Sequence, residues 1–186
     1  EVVDGDELLF VIACDQRVQG VVGTLMSNLG MELALRERGI EFCRSGVGDR
    51  HVIEMMQSRQ WVLGGESSGH IICSELSTTG DGIVAALQVL QALRNAGTDL
   101  ASLKGGMQKF PQHMINVEAR DKTALTENSE LDAAVADIEQ QLGERGRVLL
   151  RPSGTEPVVR VMVEGEESEQ VEQLCGELAQ RVAALL

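Results

Sequence analysis

Between Gly20 and Cys73 short apolar runs alternate with stretches of helical period, and that rhythm limits the fold more than any other feature of the chain. Gly20-Val21-Val22-Gly23 predicts a strand, and Thr24 to Arg38 carries apolar residues at helical spacing (Leu25, Met26, Leu29, Leu33, Leu35) up to the stop at Gly39. Ile40 to Arg44 predicts a second strand. A helix after Gly48 follows, with Val52, Ile53, Met55 and Met56 as its apolar stripe. Trp61-Val62-Leu63 enters a third strand, and Ile71-Ile72-Cys73 returns from it. From Asp81 a long apolar helix runs to Arg94 and is closed by Asn95-Ala96-Gly97. Strand and helix in alternation imply an α/β layer structure. Ahead of it, Asp6 followed by Glu7 to Ala13 reads as an N-cap and a short apolar helix.

A shorter helix near Leu100–Leu103 meets Gly105-Gly106, and beyond that pair the rhythm changes. His113 to Ala119 alternates as a strand, Glu130 to Leu142 is an amphipathic helix, Val148 to Val163 is a strand–loop–strand, and Ser168 to Leu186 is a last helix. That order implies a small α+β domain. The expected divisions are residues 1–16 as a helical connector from a preceding domain, 17–107 as the α/β domain and 108–186 as the α+β domain. The opening at Glu1, with no initiator Met, reads as the middle of a longer protein.

Aromatic residues make up only 2% of the chain, with no Tyr and one Trp, so the core is aliphatic and base stacking is not its means of recognition. A formal net charge of -13 repels nucleic-acid backbones and anionic lipid surfaces. A phosphorylated ligand therefore requires a local arginine cluster, which Arg147, Arg151 and Arg160 supply. Cys14, Cys43, Cys73 and Cys175 are widely spaced and form no CxxC, so they read as free thiols of a reducing compartment rather than zinc or redox ligands. Neither a secretory leader nor a membrane-length apolar run is legible, and the expected location is the cytoplasm.

Three loops concentrate glycine with polar side chains. Arg151-Pro152-Ser153-Gly154-Thr155-Glu156-Pro157 offers a guanidinium fork, two hydroxyls and a glycine between two prolines. It suits a phosphate dianion, and equally an ordinary hairpin turn. Gly64-Gly65-Glu66-Ser67-Ser68-Gly69-His70 offers an acceptor and donors to vicinal sugar hydroxyls, or is a hairpin turn with solvated polar residues. Gly46-Val47-Gly48-Asp49-Arg50 reads most simply as a helix start capped by Asp49. No nucleophile elbow or complete catalytic set is present, and Asp4-Gly5-Asp6 departs from calcium-loop spacing at Leu8.

Taken together and in this order, the three loops resemble the α-D-phosphohexomutase superfamily. So do Val22-Gly23-Thr24-Leu25-Met26-Ser27-Asn28, Thr78-Thr79-Gly80-Asp81-Gly82 and Arg160-Val161-Met162-Val163-Glu164-Gly165, most of all in its members that act on glucosamine phosphates. The resemblance covers essentially the whole chain as the third and fourth of the family's four domains. It implies an α/β/α layer domain with a mixed sheet, then a small TATA-binding-protein-like domain with an antiparallel sheet packed against helices. It also implies a parent enzyme that interconverts glucosamine 6-phosphate and glucosamine 1-phosphate, through a phosphoserine and a bisphosphate intermediate, for amino-sugar and peptidoglycan precursor synthesis.

By the same resemblance Glu66 and Ser68 hold sugar hydroxyls, with Asp49 and Arg50 in a further substrate-facing turn, and Arg151, Ser153, Gly154 and Thr155 grip the phosphate that is not being transferred. The family's serine and magnesium loops have no counterpart here, so Mg2+ and the catalytic serine belong to the full-length enzyme and no catalytic or metal-binding residue is expected in this chain. A glucose or glucosamine bisphosphate serves as activator or intermediate. The expected partners are a small phosphosugar and a second copy in a homodimer, with neither nucleic acid nor membrane. The rivals are a phosphoglucomutase or phosphomannomutase fragment and a non-catalytic sugar-phosphate-binding module.

Overall fold

Alternation along the strands decides which helices lie on which face. The computed structural model describes residues 2–119, 128–154 and 156–185, and the chain divides into two compact units, Glu1–Lys109 and Phe110–Leu186. In the first unit β1 (Gly20–Thr24) runs parallel to β2 (Glu41–Ser45) on one side and to β3 (Leu63–Gly65) on the other. β4 (Ile71–Cys73) closes the sheet antiparallel to β3, giving the order β2-β1-β3-β4. The sheet is therefore mixed.

Val21 and Ile71 point to one face, where they meet Leu9, Phe10 and Ile12 of α1 (Gly5–Gln16), Met31 and Leu35 of α2 (Leu29–Glu37), and Ala85 and Val89 of α4 (Gly82–Ala96). Val22 and Ile72, one residue on, point to the other face and meet Val52 and Met56 of α3 (Asp49–Arg59). Helices cover both faces, as an α/β/α layering requires. The short α5 (Leu100–Lys104) adds Leu100 and Leu103 to the α1 side.

Four local readings are corrected. Residues 1–16 are no connector: Leu9 and Ala13 are fully buried at the centre of the first unit, so α1 is part of its core. Its cap is Asp4, in a reciprocal box with Glu7, while Asp6 lies within the first turn and is buried. The expected helix from Thr24 begins later: Thr24 ends β1, residues 25–27 are a loop, and Asn28 caps α2 by accepting from the Gly30 N–H. The third strand begins at Leu63 and Trp61 stands before it, where its ring joins the α3-side cluster.

The second unit is a three-stranded antiparallel sheet in the order β5 (Gln112–Glu118), β7 (Val158–Glu164), β6 (Arg147–Pro152). Val159, Val161 and Val163 of β7 face α6 (Ser129–Leu142) and α7 (Ser168–Leu185) and pack on Leu131, Ile138, Leu174 and Leu178. Cys73 and Cys175 are buried, and all four thiols are free. Among the described residues no helix is long and apolar enough to cross a membrane.

Candidate functional site

The helix-free face of the second unit carries the alternate residues of its three strands, and their register sorts them into rows. In one row Gln112, Glu164 and Arg147 stand side by side. Glu164 is fully buried, accepts from Gln112 Nε2 at 2.9 Å and is ion-paired with Arg147. The next row is Met114, Met162 and Leu149. The third, nearest the 153–157 loop, is Asn116, Arg160 and Arg151.

Here two arginines stand directly opposite each other in the ladder, an arrangement of like charges that costs stability when nothing neutralises it. The Nε atoms of both Arg151 and Arg160 are buried without a hydrogen-bond partner among the described residues. Arg160 reaches Glu156 through Nη2 at 3.2 Å, but Arg151 has no ion-pair partner among the described residues. Of the three arginines expected to serve an anion, Arg147 is thus spent on Glu164, while Arg151 and Arg160 stand together.

The loop beside them is tied by Ser153. Its N–H donates to the Val158 carbonyl at 2.9 Å, and its buried Oγ accepts from the Glu156 N–H at 3.2 Å. A Cβ on Gly154 would meet open space, so nothing inside the chain forbids a side chain there. Thr155 lies outside the described residues.

In the first unit β1, β2 and β3 point the same way, so the loops that leave them gather at one end of the sheet. In open α/β sheets ligands bind at that end. Gly48, with φ +117, turns the chain out of β2 and donates its N–H to Glu66 Oε1 at 2.9 Å. Gly69, with φ +95, closes the other loop by donating to the Glu66 carbonyl at 3.0 Å.

Asp49, expected to cap α3, does not cap it: Gly48 occupies that position, and no side chain bonds the first turn. The Asp49 carboxylate goes instead to His70, whose Nδ1 lies 3.2 Å from both of its oxygens. Asp49, Glu66 and His70 bring one donor atom each to within 4.8 Å of one another. His70 was not among the expected site residues; the signal for it was its place two residues after Ser68, in the same loop. Arg50 stays apart, with its side chain 86% exposed and paired with Glu54 at 2.8 Å. Ser68 is exposed and its hydroxyl makes no hydrogen bond among the described residues.

Beneath these loops sits a buried carboxylate, Asp6. Its Oδ2 accepts from the Asn28 N–H at 2.8 Å while Oδ1 has no partner, and burial pushes its carboxyl up to about 6.

Comparison with known proteins accounts for this pairing of units. Residues 4–110 match the model for the phosphoglucomutase/phosphomannomutase alpha/beta/alpha domain III, and residues 114–181 match the C-terminal domain model of the same family. The chain belongs to the phosphoglucomutase/phosphomannomutase family. The phosphoglucosamine mutase of Cellvibrio japonicus (strain Ueda107) is 58% identical over 100% of the chain, which spans 43% of that protein. The phosphoglucosamine mutase of Alcanivorax borkumensis is 54% identical over 97% of the chain and is spanned to 42%. The chain therefore covers less than half the length of these family members.

Two solved structures share the fold. Aspergillus fumigatus N-acetylphosphoglucosamine mutase, in complex with GlcNAc-6P and magnesium, superposes with a TM-score of 0.79 at 20% identity, covering 98% of this chain and 47% of that one. An N-acetylglucosamine-phosphate mutase in its substrate complex gives 0.82 at 19% identity, covering 96% and 44%. The expected fold, a mixed-sheet α/β unit followed by a small antiparallel α+β unit, is borne out.

Proposed function

We propose that the chain is the sugar-phosphate-recognising C-terminal part of a phosphoglucosamine mutase. That enzyme interconverts glucosamine 6-phosphate and glucosamine 1-phosphate by way of a phosphoserine and a bisphosphate intermediate. The observation that carries the reading is the opposed pair Arg151–Arg160, whose buried Nε atoms lack partners among the described residues, beside a loop that includes Ser153 and Gly154. A phosphate dianion supplies the acceptors that the chain withholds.

Roles follow from the local chemistry. Arg151 and Arg160 bind the phosphate that is not transferred, Ser153 and Gly154 line the turn beside it, and Thr155 is proposed as a further phosphate ligand from the sequence motif alone. Glu66 accepts from sugar hydroxyls and Ser68 donates to or accepts from them. Asp49 holds His70 by its Nδ1 side, which fixes the imidazole and leaves Nε2 to exchange a proton at a sugar oxygen. Arg50 contributes positive potential rather than a fixed contact, because it is spread over solvent and Glu54. The amino-sugar specificity rests on the two phosphoglucosamine mutases above, at 58% and 54% identity.

Magnesium appears in the fungal structure's complex, but the residues here do not suit it. Among the described residues the one metal-like group is Asp49, Glu66 and His70, in which a histidine and two already hydrogen-bonded carboxylates replace the all-oxygen set that Mg2+ prefers. No step of the recognition proposed for this chain runs through a metal.

The test is a calorimetric titration of the chain with glucosamine 6-phosphate, beside inorganic phosphate and glucosamine. Binding of the sugar phosphate at least about tenfold tighter than of either control is expected. A response no stronger than that to inorganic phosphate reduces the chain to an anion site and removes the hydroxyl clamp.

A further inference from the structure

The Glu66–Gly69 turn has no strand or helix of its own to shape it, yet its position decides where Glu66 and Ser68 are presented. What it rests on is the first turn of α1. The Gly5 N–H donates to the Ser67 carbonyl at 3.0 Å, so the helix start holds the turn by its backbone. The approach leaves no room for a side chain: a Cβ on Gly5 would lie 2.2 Å from the Glu66 carbonyl oxygen and 2.6 Å from the Gly69 nitrogen. Both atoms are backbone and cannot rotate away.

The helix start is itself fixed. Asp4 and Glu7 form the capping box, Lys109 pairs with Asp4, and Lys104 pairs with Glu7 at 2.8 Å. Asp6 ties the same turn to the Asn28 N–H of the loop after β1. One helical turn thus sets the height of two loops at the ligand-binding end of the sheet.

We infer that Gly5 is the positioning residue for the hydroxyl clamp: the bare Cα of α1 sets where the Glu66–Gly69 turn stands and hence where Glu66 and Ser68 meet the sugar. The inference rests on the reading of Glu66 and Ser68 as sugar ligands for its consequence, but not for its geometry. Gly5 touches no substrate; it acts through the turn. A methyl at this position moves the turn outward, while the Arg151–Arg160 row, in the other unit, is left as it was.

The experiment compares the chain with Gly5→Ala, with Asp4→Ala, and with the control Gly176→Ala, whose added Cβ meets open space on α7. Backbone amide resonances of Glu66 to His70 are read by NMR without ligand, and affinities for glucosamine 6-phosphate and inorganic phosphate are read by calorimetry. Gly5→Ala is expected to shift the Glu66–His70 amides and weaken glucosamine 6-phosphate by at least about tenfold, with inorganic phosphate unchanged. A loss of packing alone lowers the melting temperature without separating the two ligands.

A folded Gly5→Ala whose Glu66–His70 amides stay in place, or whose sugar-phosphate affinity is unchanged, overturns the inference. If Gly5→Ala fails to fold, Asp4→Ala decides, since it loosens the helix start without a clash: movement of the same amides supports the inference and their constancy refutes it. If the unmodified chain binds no sugar phosphate, the functional reading fails, while the amide shifts still decide the positioning role.

Discussion

Replacing Arg151 by Met separates what the proposed anion site costs in stability from what it contributes to binding. In the ligand-free chain Arg151 forms no ion pair among the described residues, opposes Arg160 directly and keeps a buried Nε without a partner. Met preserves most of the aliphatic stem, so the change removes the charge and leaves the packing. Relief of a directly opposed like-charge pair is worth a few tenths to about 1 kcal/mol, and Arg151→Met is expected to gain that much stability. Binding moves the other way. Losing a charge-assisted hydrogen bond to phosphate costs about 1.5–3 kcal/mol, a drop in affinity of roughly 10- to 150-fold. The same face supplies the contrast. Arg147→Met leaves the fully buried carboxylate of Glu164 without its ion-pair partner, and is expected to lose about 3 kcal/mol of stability. Its phosphate affinity is expected to stay as it was. Denaturant unfolding and calorimetry on the three proteins check both quantities. An Arg151→Met chain less stable than the original by more than about 1 kcal/mol, or one that binds phosphate as before, refutes the reasoning.

Glu66→Ala takes the acceptor from the Gly48 N–H and is expected to cost about 1 kcal/mol of stability. It should also abolish the preference for glucosamine 6-phosphate over inorganic phosphate, and a preserved preference in the calorimeter counts against Glu66 as a hydroxyl ligand. Asp6 makes stability depend on pH. Its carboxyl titrates near 6 in the fold, against about 4 unfolded, so between these values the folded chain keeps a proton that the unfolded chain has shed. Stability then falls as pH rises through the window, and the cost is complete above it. Asp6→Asn keeps an acceptor for the Asn28 N–H and cannot ionise, so it is expected to be more stable than the original chain by on the order of 2 kcal/mol at pH 7, with the advantage gone at pH 4. Urea midpoints at both pH values measure it, and a difference that does not change with pH contradicts the assignment.

Periodicity carried most of the fold. The strand–helix alternation from Gly20 and the change of rhythm after Gly106 are local properties, and local properties are what a sequence displays. Errors fell where a side chain works against its usual local role. Leu25 and Met26 continue a helical period, yet Asn28 caps α2 and holds the preceding residues in a loop. Asp49 stands where a cap is expected, yet a histidine from another loop outbids the helix end for its carboxylate. That contact depends on β1 lying between β2 and β3, and a topology of that kind is written in no single stretch of residues. Arg160 was nearer to hand. Alternation in Val159-Arg160-Val161 puts it opposite the core face, and only its partner across the ladder required the register.

On the reading proposed above, the unsatisfied pair in the second sheet serves a ligand and is not imperfect folding. The chain holds 29 acidic residues against 16 basic ones, so carboxylates are abundant. On this face one of them, Glu164, is fully buried to meet Arg147. Two rows along the same strands, Arg151 and Arg160 oppose each other, and among the described residues the ion pair formed there joins Arg160 to Glu156, from an exposed position. A single acidic residue in place of Asn116 would stand beside Arg160 in register and relieve the repulsion, as Glu164 does for Arg147. A sequence that solves the problem at one end of a sheet face and leaves it open at the other is giving up stability where a site needs it. Asn116→Asp is therefore expected to stabilise the ligand-free chain and to weaken phosphate binding, the two effects sharing one cause. Stabilisation with undiminished phosphate affinity, measured by denaturant unfolding and calorimetry on that variant, breaks the link between the open row and the anion.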